Sequence, residues 1–253
     1  MEARKVALVT GAAKGIGRQT CLALAKEGYD IAINYRSTPT KAQELCEQVI
    51  SLGVRGEIIY ADMAKLSDIA AMYDVVYEKF GRLDLLVNNA GVSDEVYFLD
   101  ATEENFDYVA SIDWKGLFFS SQNAAKRMIA QDTKGVIVNV TSNQVDGCWP
   151  RATIYASCKA AVHKFTQNAA MELSLHGIRM VAIAPGYTDV GWGSDSHLRL
   201  AKERLPLRRF ATVEEVAKGI VYLASEAASY IVGSTLTMDG GAILPVVAAN
   251  DFT

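Results

Sequence analysis

The sequence predicts an α/β fold: a single doubly wound, Rossmann-type domain over residues 1–253, with a seven-stranded parallel sheet flanked by helices. Three observations predict it. Seven short apolar runs recur along the chain with helical stretches between them. The runs are continuous rather than alternating, as suits strands covered on both faces by crossover helices. No Pro/Ser-rich linker, repeat or low-complexity tract divides the chain, so one domain is the economical reading.

The expected strands are residues 6–9, 31–33, 58–60, 83–87, 136–140, 180–183 and 236–238. Gly28, Gly53 and Gly81 each stand just before the next strand, where a left-handed residue ends a helix. Later helices are expected around residues 106–131 and over residues 153–175. Thr212 followed by Glu215 reads as a capping box opening a late helix. Residues 187–205, with Gly191-Trp192-Gly193-Ser194, are the least regular and read as a mobile flap over a substrate rather than as sheet, one that orders when ligand binds.

Composition excludes several functions. Half of the 253 residues are hydrophobic and the net charge is −4, with cations scattered, so nothing marks a nucleic-acid surface. The first apolar run is too short for a signal sequence or a membrane span, which predicts a cytoplasmic protein without membrane contact. Cys21, Cys46, Cys148 and Cys158 form no Cys-x-x-Cys pair and no cluster with His163, His176 or His197; reduced thiols and no metal site are expected.

Directly after the first strand comes Thr10-Gly11-Ala12-Ala13-Lys14-Gly15-Ile16-Gly17. Glycines let backbone N–H groups approach a pyrophosphate, and the following helix N-terminus adds partial positive charge. Alone, a glycine-rich turn is a weak sign. The tip of the second strand reads Asn34-Tyr35-Arg36-Ser37 and lacks the acid that would bind ribose hydroxyls and repel a 2′-phosphate. With Lys14 nearby, the Arg36 fork and the Ser37 hydroxyl favour NADP(H) over NAD(H); the bland alternative is a solvated loop arginine.

Tyr155 and Lys159 stand four apart on an expected helix and so share a face. A nearby ammonium favours the phenolate, so the phenol can serve as an acid or base. Ser142, thirteen residues upstream past a strand end, would hold the substrate oxygen. In isolation such a Tyr/Lys pair is more often a surface pair.

Together these features resemble the classical short-chain dehydrogenase/reductase family along almost the whole chain. In order the chain carries the glycine turn, Asp62, Asn88-Asn89-Ala90-Gly91, Ser142, Tyr155 with Lys159, Pro185-Gly186 and Asp239-Gly240-Gly241. The resemblance is also to 3-oxoacyl-(acyl-carrier-protein) reductases and sugar dehydrogenases. It implies Tyr155 as general acid/base, Lys159 as the group that lowers its pKa and holds the nicotinamide ribose, and Ser142 as the positioning hydroxyl. It implies cofactor contacts from Gly11, Lys14, Gly15, Ile16 and Gly17, from Tyr35, Arg36 and Ser37, from Asp62 and Met63, and from Asn89, Ala90 and Gly91. Pro185, Gly186 and Thr188 would line the nicotinamide. A homotetramer is implied, pairing the helices around 106–131 and 153–175.

Two positions depart from the family pattern. The fourth catalytic residue, an asparagine in the family, falls on Asp113, and a common threonine falls on Val190. Asp113 is expected either to sit beside Lys159 and raise the pH at which Tyr155 ionises, or to turn outward toward a cation such as Lys115.

The sequence therefore predicts an NADP(H)-dependent oxidoreductase that transfers hydride between nicotinamide and a ketone or secondary alcohol. Two alternatives stand beside it. The stretch Pro206-Leu207-Arg208-Arg209-Phe210 resembles the 3-oxoacyl-(acyl-carrier-protein) reductases, although Thr133 and His176 replace basic residues of that group. The other is a non-catalytic dinucleotide sensor, made plausible by Asp113. Ser93, Gln144, Cys148, Trp149, Tyr187 and Trp192 are the expected pocket residues and suit a compact polar small molecule such as a sugar or polyol; Cys148 and Trp149 could equally face the core or a subunit interface.

Overall fold

In the computed structural model, which describes residues 4–191 and 196–244, strand and helix alternate from the start. β1 (Val6–Val9) leads into α1 (Gly15–Lys26), β2 (Asp30–Tyr35) into α2 (Pro39–Ser51), and β3 (Gly56–Tyr60) into α3 (Leu66–Phe80). β4 (Leu85–Asn88) leads into α4 (Glu103–Ala110) and α5 (Leu117–Ala130), and β5 (Val136–Val140) into α6 (Thr153–Ser174). Then come β6 (Arg179–Pro185), β7 (Thr188–Asp189), α7 (Ser196–Arg204), β8 (Ala211–Thr212), α8 (Val213–Ala224) and β9 (Thr235–Met238).

Seven strands form one parallel sheet in the order β3-β2-β1-β4-β5-β6-β9. The order reverses on either side of β1, so a crevice opens beyond the carboxyl ends of β1 and β4, where ligands bind in such sheets.

The continuous apolar runs arise because both faces are covered. Ala7 and Val9 of β1 pack with Leu24, Leu45 and Ile220 from α1, α2 and α8. Val6 and Leu8 point the other way, to Ile69, Met72 and Met128 from α3 and α5. At the amino ends of the strands, buried carboxylates hold the backbone. Asp84 Oδ2 accepts from Val6 N at 2.8 Å, and Asp30 takes both Arg55 N and Nε. Gly28, Gly53 and Gly81 all have positive φ behind α1, α2 and α3. Thr212 caps α8 through Glu215 N, and the Glu215 side chain returns to Thr212 N at 2.9 Å.

Two sequence expectations need correction. The helix expected around residues 106–131 is not continuous: Ser111–Gly116 forms a π-helical turn between α4 and α5. One extra residue in that turn rotates Asp113 inward, where Val92 N donates to its Oδ1 at 2.8 Å. The stretch read as an irregular flap contains β7 and α7, and β7 pairs in parallel with β8 as a small second sheet. Tyr187 fixes this corner by stacking on Phe210 with ring centroids 5.2 Å apart, while its carbonyl accepts from Ala211 N. Trp192 lies outside the described residues.

Candidate active site

The glycine turn is braced from behind by two asparagines. Asn34, at the end of β2, accepts from Gly11 N at 3.0 Å and donates to the carbonyls of Ile59 and Ala61. Asn89 donates to the carbonyls of Thr10 and Gly11, and Thr10 Oγ1 accepts from the N–H groups of Asn89 and Ala90. Gly11 has φ +61, and a Cβ there would lie 2.9 Å from the Ala90 backbone, so the turn needs glycine at this position. Asn89 thus serves the turn with its amide while only bordering the crevice.

At the floor of the crevice, Lys159 and Asp113 form an ion pair with Nζ 3.1 Å from Oδ2. Both are buried, Asp113 at 0% exposure. Asp113 therefore faces Lys159 rather than Lys115. Lys159 also donates to the Val140 carbonyl at 3.1 Å. Burial by itself would lower the lysine's pKa, but the Asp113 charge, with a smaller contribution from Tyr155, carries it above the ordinary lysine value. The same burial, followed by the Asp113 charge, pushes the Cys158 thiol up to about 11, which keeps it protonated near neutrality. Gly91 leaves room for the pair: a Cβ there would lie 2.9 Å from Asp113 Oδ2.

Tyr155 lies one turn before Lys159 on α6, with the ammonium 5.5 Å from its ring centroid. Ser142 ends the loop after β5 and opens the short 3₁₀ turn Asn143–Val145; its Oγ accepts from Gln144 N at 3.2 Å. Ser142, Tyr155 and Lys159 all line one cavity of about 560 Å³.

Of the expected substrate residues, Ser93, Gln144, Trp149 and Tyr187 line this cavity. Trp149 Nε1 donates to the Tyr187 hydroxyl at 2.9 Å, forming an aromatic wall. Cys148 does not line it; the thiol is exposed, because the turn after Gly147 brings the Trp149 ring, not the cysteine, inward. Arg151 and Glu95 pair with each other at 2.9 Å at the rim.

A second cavity of about 520 Å³ adjoins the first, sharing Ile16, Asn89, Gly91, Val92 and Val190. It is lined by Gly11, Lys14, Gly15, Tyr35, Arg36, Ser37, Asp62, Met63 and Ala90. Gly17 is buried beneath the turn and lines neither cavity. Pro185, Gly186 and Thr188 border the first cavity. Thr188 is committed to the Gly186 carbonyl at 3.1 Å, and Val190 approaches the position of Gly15 across the crevice. Arg36 Nη1 stands 4.0 Å from Asp62 Oδ1, with the guanidinium still half exposed.

Sequence reasoning missed a buried polar chain under the site. Asn88 donates to Ser121 and to Asn139, and Asn139 donates to Thr166. Its signal was visible, since Asn88 and Asn139 are the polar residues in otherwise apolar strands. Among the described residues no group of three or more His, Cys, Asp or Glu could hold a metal, and no helix is long and apolar enough to cross a membrane.

A family model described as enoyl-(acyl carrier protein) reductase, of the short-chain dehydrogenase/reductase type, matches residues 11–242. The chain is 37% identical over 243 residues to the uncharacterized oxidoreductase YohF of Escherichia coli K12, covering 95% of this chain and 96% of that one. It is equally identical, over 240 residues, to 3-oxoacyl-(acyl-carrier-protein) reductase FabG of Staphylococcus epidermidis, covering 94% and 98%. Among solved structures, acetoin dehydrogenase YohF from Salmonella typhimurium superposes with a TM-score of 0.91 at 33% identity, covering 98% of this chain and 99% of that one. Acetoin dehydrogenase from Enterobacter cloacae superposes at 0.89 and 32% identity, covering 99% and 100%.

Proposed function

This chain belongs to the short-chain dehydrogenase/reductase family, and from that premise we propose that it is an NADP(H)-dependent oxidoreductase acting on a small ketone or secondary alcohol, with Tyr155 as general acid/base. The observation that carries the reading is the Tyr155, Lys159 and Ser142 arrangement at the floor of one cavity, continuous with a second cavity under the glycine turn.

The two adjoining cavities fit an extended dinucleotide. Lys14, Arg36 and Ser37 border the end where an adenosine 2′-phosphate would sit, and the β2 tip itself carries no carboxylate, the nearby Asp62 standing 4.0 Å from Arg36. Lys159 would hold the nicotinamide ribose, with Pro185 and Gly186 beside the ring. When bound, the nicotinamide supplies hydride to the carbonyl carbon, or accepts it in the reverse direction.

The chain's own residues supply position and a proton. The Ser142 hydroxyl, whose oxygen already accepts from Gln144 N, turns its hydrogen to the substrate oxygen. In reduction Tyr155 donates its phenolic proton to that oxygen as the carbonyl carbon receives hydride, and the product is the alcohol. The Lys159 ammonium stabilises the negative charge left on the phenolic oxygen.

A second reading, a 3-oxoacyl-(acyl-carrier-protein) reductase, is favoured by the name of the Staphylococcus relative. The acetoin named for two solved relatives is instead a small ketone. We favour the small ketone because Trp149 and Tyr187 wall the cavity and Arg151 at its rim is neutralised by Glu95. Intact Ser142, Tyr155 and Lys159 weigh against a sensor without turnover. NADPH consumption with small ketones, sugars and 3-oxoacyl thioesters tests the set, and consumption with thioesters alone would select the second reading. A homo-oligomer is also proposed, supported by exposed Phe106 and Tyr108 on α4 and Met171 on α6; light scattering that gives a monomer would overturn it.

A further inference from the structure

Each charged side chain that lines the substrate cavity is met by one of opposite sign. Among the described residues these side chains are Lys159, Arg151 and Glu95. Lys159 is matched by Asp113 at 3.1 Å in the floor, and Arg151 Nη2 by Glu95 Oε2 at 2.9 Å at the rim. Neighbouring Asp94 does not line the cavity; its carboxylate accepts from Asn105. The floor pair is almost wholly buried, whereas Arg151 and Glu95 are half-exposed and meet at the mouth.

The rim pair is also built into the backbone. Glu95 belongs to the loop after β4 and Arg151 to the loop before α6, and Val96 N donates to the Arg151 carbonyl at 3.2 Å. Arg151 has φ +65, a left-handed conformation uncommon for a residue with a side chain. Such a conformation persists only where its surroundings hold it, and it clusters at ligand sites. An ion pair between half-exposed groups adds little to stability, so stability does not account for the arrangement.

Resting on the hydride-transfer reading above, we propose that Glu95 and Arg151 are specificity-determining residues that act together as a charge filter. The cavity takes carbonyl substrates without a formal charge and disfavours ionised ones of either sign. An ion that enters gives up water and finds no unmatched opposite charge in exchange. A carboxylate that approaches Arg151 meets Glu95 beside it, and a quaternary ammonium that approaches Glu95 meets Arg151. An uncharged ketone loses little on either count. The filter needs both members, because removal of one leaves the other as an unmatched charge at the mouth.

The test measures kcat/KM at saturating NADPH for three ketones of similar length: uncharged methyl 4-oxopentanoate, anionic 4-oxopentanoate and cationic 5-(trimethylammonio)pentan-2-one. Wild type should favour the ester over both ions. Glu95→Gln should raise the anion-to-ester ratio by roughly 5- to 10-fold and lower the cation-to-ester ratio, and Arg151→Gln should do the reverse. A merely structural role would move all three substrates together. Ratios cancel any general loss of activity, and melting temperatures establish that both variants are folded. Both shifts should shrink below about twofold in about 0.5 M NaCl, since half-exposed charges are screened. Wild-type use of an ion as readily as the ester, ratios that stay fixed or move the same way in both variants, or shifts undiminished by salt overturn the proposal. Calorimetric binding of the three ketones to the NADP⁺ complex separates the two levels. Opposite shifts in dissociation constant, with no ketone turned over, would uphold the filter and overturn the hydride-transfer reading. Reduction of all three with the same ratios in wild type and both variants would do the opposite, and binding of none of them would overturn both.

Discussion

Lys159 Nζ lies 3.1 Å from Asp113 Oδ2 in an almost fully buried pair at the floor of the cavity, and the same ammonium donates to the Val140 carbonyl. A buried pair of this kind is weak support for stability, because desolvation of both charges offsets most of their attraction. Its consequence is local: the ammonium beside Tyr155 is balanced by a fixed negative charge. The lysine pKa is raised in the folded state, so the pair's contribution is complete below the ordinary lysine value of about 10.4 and is lost only as pH rises past the folded value. The ammonium therefore stays charged across the neutral range.

Asp113→Asn should move the basic limb of the alcohol-oxidation profile to lower pH, with turnover preserved or raised. Removing the carboxylate takes away the charge that holds the Lys159 pKa above its ordinary value, so the ammonium beside Tyr155 is lost at a lower pH. Rate against pH under saturating cofactor measures it, and an unmoved profile would place Asp113 outside the proton pathway.

Gly91→Ala should destabilise the protein by roughly 1–3 kcal/mol, the usual cost of forcing a methyl group into filled space. The added carbon would lie 2.9 Å from Asp113 Oδ2 and 3.3 Å from Lys159 Nζ, so turnover should fall with stability. Denaturant unfolding and steady-state rates check both, and a fully stable, fully active variant would show that the pair adjusts freely.

Arg36→Ala should weaken NADPH binding by roughly 1.5–3 kcal/mol while changing NADH binding far less, as expected for loss of one charge-assisted contact. The half-exposed guanidinium near Asp62 has its fork open to the second cavity. Equal losses for both cofactors, by fluorescence titration, would mean that Arg36 does not read a phosphate.

The main sheet was legible because seven buried parallel strands write themselves as continuous apolar runs, and the helix stops were legible because Gly28, Gly53 and Gly81 occupy left-handed backbone. The convergence of Ser142, Tyr155 and Lys159 on one cavity could be anticipated from spacing along α6 and from the strand end before Ser142. The π-helical turn at Ser111–Gly116 was not legible, since a change of phase confined to six residues is too short to separate from an ordinary helix by its apolar pattern. Nor was the pairing of β7 with β8, two residues each, which depends on Tyr187 stacking against a residue far along the chain. Cys148 and Trp149 are adjacent, and only the backbone of the turn decides which side chain enters the cavity.

Tyr155→Phe removes the phenolic proton that the proposed NADP(H)-dependent reduction of a small ketone draws from Tyr155. NADPH oxidation with 3-hydroxybutan-2-one should fall by about two to four orders of magnitude, the range for a positioned acid or base, while the NADPH dissociation constant stays within about threefold of wild type. A variant that binds NADPH normally and turns over within threefold of wild type would remove Tyr155 from the proton transfer.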